Sequence, residues 1–188
     1  FNGGLTATAP SSVTLNATLR SSADTITIGD AGTGLTLAGT TSIIDTTNAG
    51  GSPLGGAIAV DGAVVGTVAN TQSLTLDAGT AGTIAFSSTI GAVTSLATLT
   101  VTNSNGATFT GAVTAATSVV LTDTTDVANI TFTGALITPT LTTAAQGYDL
   151  DLLGSGTIIT NACAFINTGI LTLGDAAADT LLFDGGLT

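Results

Sequence analysis

The sequence predicts an all-β protein that winds as a β-solenoid, and three observations support this prediction. Short runs in which apolar and small polar residues alternate recur through the whole chain. Turn-forming pairs such as Asp61-Gly62 and Asn105-Gly106 separate these runs. The composition lacks Glu, Lys and Met, which favour helices, and is dominated by Thr, Ala and Gly.

Eleven segments have the two-residue period of a half-buried strand. In chain order they are 13–15, 25–28, 35–37, 74–76, 98–102, 108–110, 119–121, 130–133, 150–152, 170–173 and 181–183. Between residues 74 and 130 the strands start about ten residues apart. The Gly-rich stretch 48–56 predicts a protruding loop. No segment has the length and pattern of an ordinary helix.

Two architectures fit short strands at this spacing, a β-solenoid that resembles a parallel β-helix and a pair of tandem Ig-like β-sandwiches. Aromatic residues make up only 4% of the chain, with six Phe, one Tyr and no Trp. A sandwich core about 10 Å thick is usually filled by larger side chains. The middle of the chain also has no Pro-marked linker. The solenoid is therefore favoured, and the tandem sandwiches are the alternative.

A short sequence match links the two ends of the chain. The segment Phe1-Asn2-Gly3-Gly4-Leu5-Thr6 matches Phe183-Asp184-Gly185-Gly186-Leu187-Thr188 at five of six positions, at an offset of 182 residues. Self-similarity at a fixed period is the mark of a repeat array. We therefore predict that residues 1–182 form one structural repeat and that residues 183–188 begin the next. The expected partners are other copies of the same chain, stacked end to end.

Charge and residue usage exclude several functional classes. The net charge is −11 and Arg20 is the only basic residue, so we expect neither nucleic acid nor anionic lipid as a partner. No apolar run is long enough to insert across a membrane. Without His or Lys the usual general bases and Schiff-base amines are missing, and we predict that the chain is not an enzyme. The single cysteine, Cys163, is expected to be a small buried residue, with a cross-link between copies as the alternative.

Calcium is the one ion for which the sequence offers ligands, because carboxylate and backbone oxygens are hard donors. All twelve acidic residues are Asp, and many lie beside Gly or Thr in predicted turns. Asp that forms a turn by bonding its own backbone is the simpler explanation. No other cofactor is expected. The calcium candidates are Asp30, Asp77, Asp149, Asp151, Asp175 and Asp184.

The strings Leu-Thr-Leu, Ile-Thr-Phe-Thr-Gly at 130–134 and Thr-Asn-Ser-Asn-Gly at 102–106 carry a resemblance to a known class. With these strings, the chain resembles the repeat regions of giant Thr/Gly/Ala-rich bacterial surface proteins, such as autotransporter passengers and filamentous-haemagglutinin-type adhesins. The resemblance implies export, a long β-solenoid, and a role in adhesion, biofilm matrix or surface coating. It carries over no functional residue.

We therefore expect an extracellular structural protein that forms a fibre or rod at the cell surface or in a biofilm matrix. One alternative is an adhesin stalk whose ligand site lies elsewhere in a longer chain. Another is the subunit of a surface-layer lattice. Surface glycans are a further class of partner that such proteins would meet.

Overall fold

The computed structural model describes residues 1–188 and contains strands and turns but no helix. None of its segments forms a helix of the length and hydropathy that crossing a membrane requires. The twenty strands are, in chain order, β1 (Leu5–Ala7), β2 (Val13–Leu15), β3 (Thr18–Arg20), β4 (Ile26–Ile28), β5 (Leu35–Leu37), β6 (Thr41–Asp45), β7 (Ile58–Val60), β8 (Val64–Gly66), β9 (Ser73–Asp77), β10 (Ile84–Phe86), β11 (Leu96–Asn103), β12 (Ala107–Phe109), β13 (Val113–Leu121), β14 (Asn129–Phe132), β15 (Leu136–Thr138), β16 (Thr140–Thr142), β17 (Asp149–Leu152), β18 (Thr157–Ile159), β19 (Leu171–Leu173) and β20 (Leu181–Phe183).

These strands stack in parallel, so the chain winds as a β-solenoid of about eight turns with three faces. Face A is the sheet β1-β4-β7-β10-β12-β14-β17-β19. Face B contains β2, β5, β8, the bridge residue Ile90, the first part of β13, β15, β18 and β20. Face C contains β3, β6, β9, β11, the second part of β13, β16 and the bridged residues Cys163 and Leu187. Each coil visits the faces in the order A, B, C.

Alternation within each strand builds the core. In β4, Ile26 and Ile28 are buried and point inward, while Thr27 between them points outward. The register between coils places inward residues above one another, so the core consists of apolar ladders along the axis. Burying one such side chain stabilises the fold by about 1.5–3 kcal/mol. The first inward position of face A forms the ladder Leu5, Ile26, Ile58, Ile84, Ala107, Ile130, Leu150 and Leu171.

Three of the six Phe residues form a stack on face A. The rings of Phe86 and Phe109 have centroids 5.6 Å apart, and those of Phe109 and Phe132 are 4.8 Å apart. All three side chains are buried. These three rings lie in the middle coils, where a stack of flat rings fits the spacing of strands.

The predicted loop at 48–56 is confirmed. It lies between β6 and β7 and makes the coil from Ile26 to Ile58 the longest, at 32 residues. Asp45 holds the start of this loop: it accepts hydrogen bonds from Thr47 N at 2.7 Å, Thr47 Oγ1 at 2.7 Å and Ala49 N at 2.8 Å. Because a buried carboxylate satisfies these donors, the loop leaves the solenoid without disturbing its core.

The fold prediction is confirmed. All eleven predicted strand segments overlap strands of the structure. The tandem sandwich alternative is wrong, because sandwiches are built from antiparallel sheets and every strand pairing here is parallel.

Candidate assembly interface

The first and last coils present strand edges that no other part of the chain covers. At the first end the edges belong to β1, β2 and β3. At the last end they belong to β19, β20 and the bridged residue Leu187. Within residues 1–188 no helix or loop crosses either end.

Apolar ladders run out to both ends. Ladder residues in the middle coils, such as Ile58 and Ile84, are 0–1% exposed. The end residues are only partly buried, and Leu173 and Leu187 in the last coil are 42% and 55% exposed. The partly buried end residues are Leu5, Val13, Leu15 and Leu19 in the first coil, and Leu171, Leu181 and Phe183 in the last. Both ends therefore present apolar surface of the kind that the middle coils bury.

Backbone hydrogen bonds follow one rule along the ladder of face A: inward residues bond to the coil that follows, and outward residues bond to the coil that precedes. Ile26 N donates to Ala57 O in the following coil at 2.9 Å, and Ile28 O accepts from Asp61 N at 3.0 Å. Thr25 O, before β4, accepts from Leu5 N of the preceding coil at 3.0 Å. Alternate residues of a parallel strand serve opposite neighbours, so the rule gives the solenoid a polarity.

This polarity leaves complementary groups free at the two ends. In β1, Leu5 and Ala7 use their backbone groups toward β4, so the N–H and C=O of Thr6 point away from the solenoid. On face B the same arrangement frees the N–H and C=O of Thr14. In β19 the groups of Thr172 face β17, so those of Leu171 and Leu173 point away. In a second copy placed on the last coil, the backbone groups of outward Thr residues would meet the free backbone groups of the inward residues of the last coil. They would form the same hydrogen bonds that join every pair of interior coils.

The matching hexapeptides both turn a corner of the solenoid, but at different corners. Phe1 N donates to Arg20 O at the end of face C at 2.6 Å, and Leu5 begins β1 on face A. Phe183 ends β20 on face B, and Leu187 pairs with Cys163 on face C. The remaining residues of the two hexapeptides lie in or beside these corners: Asn2, Gly3, Gly4 and Thr6 in the first, and Asp184, Gly185, Gly186 and Thr188 in the second.

Both corners need the same backbone conformation at the second glycine. Gly4 has a φ of 78° and Gly186 a φ of 83°, in the region that favours glycine. The two corners differ at the first glycine, where Gly3 has a φ of 112° and Gly185 has no positive φ. The hexapeptide therefore turns a corner in both places, with a shared conformation at its second glycine. The prediction that residues 1–182 form one repeat and that 183–188 begin another stays a prediction.

A column of polar residues lies at the end of the face C strands. The sequence pattern did not predict it, although Asp77 is one of the calcium candidates. Arg20, Asp45, Asp77 and Asn103 stand in register in four successive coils. Arg20 Nε lies 2.8 Å from Asp45 Oδ2, and Asn103 Oδ1 is buried without a hydrogen-bond partner. The signal in the sequence was a polar residue after the last inward residue of each of these strands.

Folding shifts the pKa values of the two carboxyl groups in this column in opposite directions. Burial alone raises the pKa of Asp45, but hydrogen bonds from Thr47, Ala49 and Arg20 outweigh it and hold that pKa below its usual value. Burial, together with the nearby charge of Asp45, raises the pKa of Asp77 above its usual value. Asp45 is thus a stabilising anchor when ionised, whereas ionised Asp77 opposes folding.

The calcium candidates lie at separate places. Asp149 and Asp151 share the outer side of β17, where Asp149 Oδ1 accepts from Ile170 N at 2.6 Å and Asp151 Oδ2 accepts from Asn129 Nδ2 at 2.7 Å. The structure gathers no group of three carboxylate, thiol or imidazole side chains suited to a metal ion. Calcium binding stays a prediction. The other candidates are Asp30, Asp175 and Asp184 in corners and Asp77 at the end of β9.

Cys163 is a buried ladder residue, as predicted, and burial raises the pKa of its thiol. Its Sγ lies 3.9 Å from Leu141 O, inside face C. A cross-link between copies is not favoured, because the sulfur faces the core, and this alternative stays a prediction.

Comparison of the chain with protein-family models, curated proteins and solved structures found no match. The function is therefore inferred from the fold and its open ends.

Proposed function

We propose that this chain is an extracellular structural protein that forms a fibre or rod by continuous stacking of β-strands. The observation that carries the proposal is the complementarity of the two ends, in backbone hydrogen bonds and in apolar ladders. Strand edges on soluble proteins are usually protected by Lys, Pro or a covering loop. The edges of β1 and β2 have none of these within the strands, which read Leu-Thr-Ala and Val-Thr-Leu.

The energetics favour copies joined in one chain over separate subunits. About eight end residues would complete their burial at one junction, at roughly 0.5–1 kcal/mol each for the third or so of each side chain that remains exposed, or on the order of 4–8 kcal/mol. Bringing two free molecules together costs roughly 4–15 kcal/mol. Single copies would therefore associate weakly, whereas copies in one chain avoid most of that cost.

The cell surface or a biofilm matrix is the proposed location. Only 7% of the residues are charged and a single Arg offers the only trypsin site, which suits exposure to proteases outside a cell. The resemblance to surface repeat proteins points the same way. Antibody labelling of intact producing cells should stain their surface or the surrounding matrix, and labelling that appears only after the cells are opened would overturn this location.

Assembly is tested by blocking the free edge of the first coil. Thr6→Pro and Thr14→Pro remove N–H groups that make no hydrogen bond within the chain, and edge strands tolerate Pro. The matched control, Thr6→Ala with Thr14→Ala, shortens the same side chains but keeps both N–H groups. Each protein is examined by sedimentation and electron microscopy over a series of concentrations, and circular dichroism checks that the strands remain.

The wild-type chain and the alanine control should form rods that lengthen in steps of roughly 38 Å, which is eight coils at about 4.8 Å per strand. The proline variant should stay monomeric with an unchanged β spectrum. Because single copies associate weakly, the highest concentrations of the series decide the test. A wild-type chain that stays monomeric even there would overturn end-to-end stacking of single copies, and a proline variant that assembles as well as the wild-type chain would overturn the proposed function.

A further inference from the structure

The chain does not complete a whole number of coils between the first hexapeptide and the second. The chain makes eight visits to each face, which gives twenty-four visits in all. Leu5 lies on the first visit and Leu187 on the twenty-fourth. The step from one hexapeptide to the next therefore covers 23 faces, which is one face short of eight complete coils.

From this count we infer that, in an array of 182-residue repeats, each copy is rotated about the axis by one face relative to the copy before it. The inference rests on the proposed function, because it assumes that copies continue one solenoid. The second hexapeptide turns the corner between faces B and C, so a copy that begins at Phe183 would begin at that corner. Its strands equivalent to β1 would then lie on face C, those equivalent to β2 on face A and those equivalent to β3 on face B.

The coil lengths at such a junction fit the range within the chain, where paired residues in successive coils are between 19 and 32 positions apart. On face A, the second copy's Val13 would follow Leu171 after 24 positions. On face B, its Leu19 would follow Leu181 after 20 positions, and on face C its Ile26 would follow Leu187 after 21. Each face would continue to receive an apolar inward residue.

The rotation has a consequence for what the rod presents to its surroundings. In each copy the loop at 48–56 protrudes between face C and face A. Successive loops would emerge at the three corners in turn and return to the first corner after three copies, or 23 complete coils. At about 4.8 Å per coil the same orientation would recur every 110 Å or so, with copies roughly 37 Å apart. Such a rod presents its loops in all directions.

Two fusion proteins of three copies each separate this arrangement from simple stacking. In the first, copies are joined at the shared hexapeptide, so residues 1–182 are followed directly by residue 1 of the next copy, and the last copy runs to residue 188. In the second, the matched control, all three copies contain residues 1–188, so the hexapeptide occurs twice at each junction. The control step covers 24 faces, because the second copy's Leu5 follows Leu187 on the next face, which is face A.

Electron cryo-microscopy of both fusion proteins reads the direction of the three loops. The first fusion should show one continuous rod with loops at three corners, about 120° apart, and the control should show one continuous rod with the loops along a single corner. A first fusion whose loops line one corner would overturn the inferred rotation while leaving the proposed function intact. Three separate solenoids on flexible tethers, in both fusions, would overturn the proposed function and the rotation with it.

Discussion

Removal of the central ring of the Phe stack tests whether the apolar ladders hold this solenoid together. Phe109 is fully buried and lies between Phe86 and Phe132, with ring centroids at 5.6 Å and 4.8 Å. Phe109→Ala should lower the free energy of unfolding by about 3–5 kcal/mol, because it removes buried apolar area and leaves a cavity between stacked neighbours. Each lost aromatic contact accounts for about 0.5–1.5 kcal/mol beyond the area term.

Urea denaturation followed by far-ultraviolet circular dichroism measures the loss, with amide hydrogen exchange to locate it. Two controls bracket the result. Phe109→Leu refills most of the space and should cost about 1–1.5 kcal/mol, and Phe1→Ala, at a side chain that is 65% exposed, should change stability by less than about 0.5 kcal/mol. Exchange should accelerate first in β10, β12 and β14, because each coil contacts only its neighbours. A loss below about 1.5 kcal/mol for Phe109→Ala, or one equal to that of Phe1→Ala, would refute the ladder as the source of stability.

Three further predictions concern charge and covalent structure. Asp45→Asn should lower the free energy of unfolding by about 1–3 kcal/mol, because it weakens the hydrogen bonds to Arg20 and to the loop at 48–56. Folding lowers the pKa of Asp45, so the stability that its carboxylate contributes is present above the usual carboxyl pKa and is lost as pH falls through the folded value. Urea titrations from pH 2 to pH 7 should therefore show a smaller loss of stability in acid for the variant than for the wild-type chain. Asp77→Asn should raise the free energy of unfolding at neutral pH, because the raised pKa of Asp77 means that stability falls as pH rises through it, and the same titrations should show the gain vanish in acid. Protein isolated from its natural source, then denatured and fully digested with trypsin, should release a 182-residue unit that begins at Ser21 and ends at the next copy's Arg20. Mass spectrometry that finds fragments 1–20 and 21–188 instead would show a separate subunit.

Most of the strands that the sequence predicts have a polar outward residue. In β4 and β9 an outward Thr between inward Ile or Leu residues makes the alternation visible. In β7 and β10 the outward residues are Ala59 and Ala85, so the runs Ile-Ala-Val and Ile-Ala-Phe show no contrast between the two sides. The bridge residue Ile90 contributes a single position to its face, and one residue carries no period at all.

The hexapeptide match is visible in the sequence, but the corner that each copy turns is not. That corner depends on the sum of all coil lengths between the two copies. Those lengths range from 19 to 32 residues, because the loops between faces differ. The polar column on face C was hidden for the same reason: Asp45 and Asp77 are neighbours only because a 32-residue coil returns to the same face.

The negative charge of the chain opposes the association of two ends. A net charge of −11 per copy opposes stacking only where charges come close, because interactions between exposed charges are screened beyond about 8 Å at physiological ionic strength. The relevant carboxylates are those near the ends: Asp24 beside the first coil, and Asp175, Asp179 and Asp184 around the last.

Their repulsion across a junction is screened by salt, whereas the apolar ladders are not weakened by it. Rods of single copies should therefore lengthen as sodium chloride is raised, and the variant with Thr6→Pro and Thr14→Pro should not respond. Light scattering over a salt series measures this. Rods that shorten as salt rises would mean that charge attraction, and not continuation of the ladders and strand edges, holds the copies together.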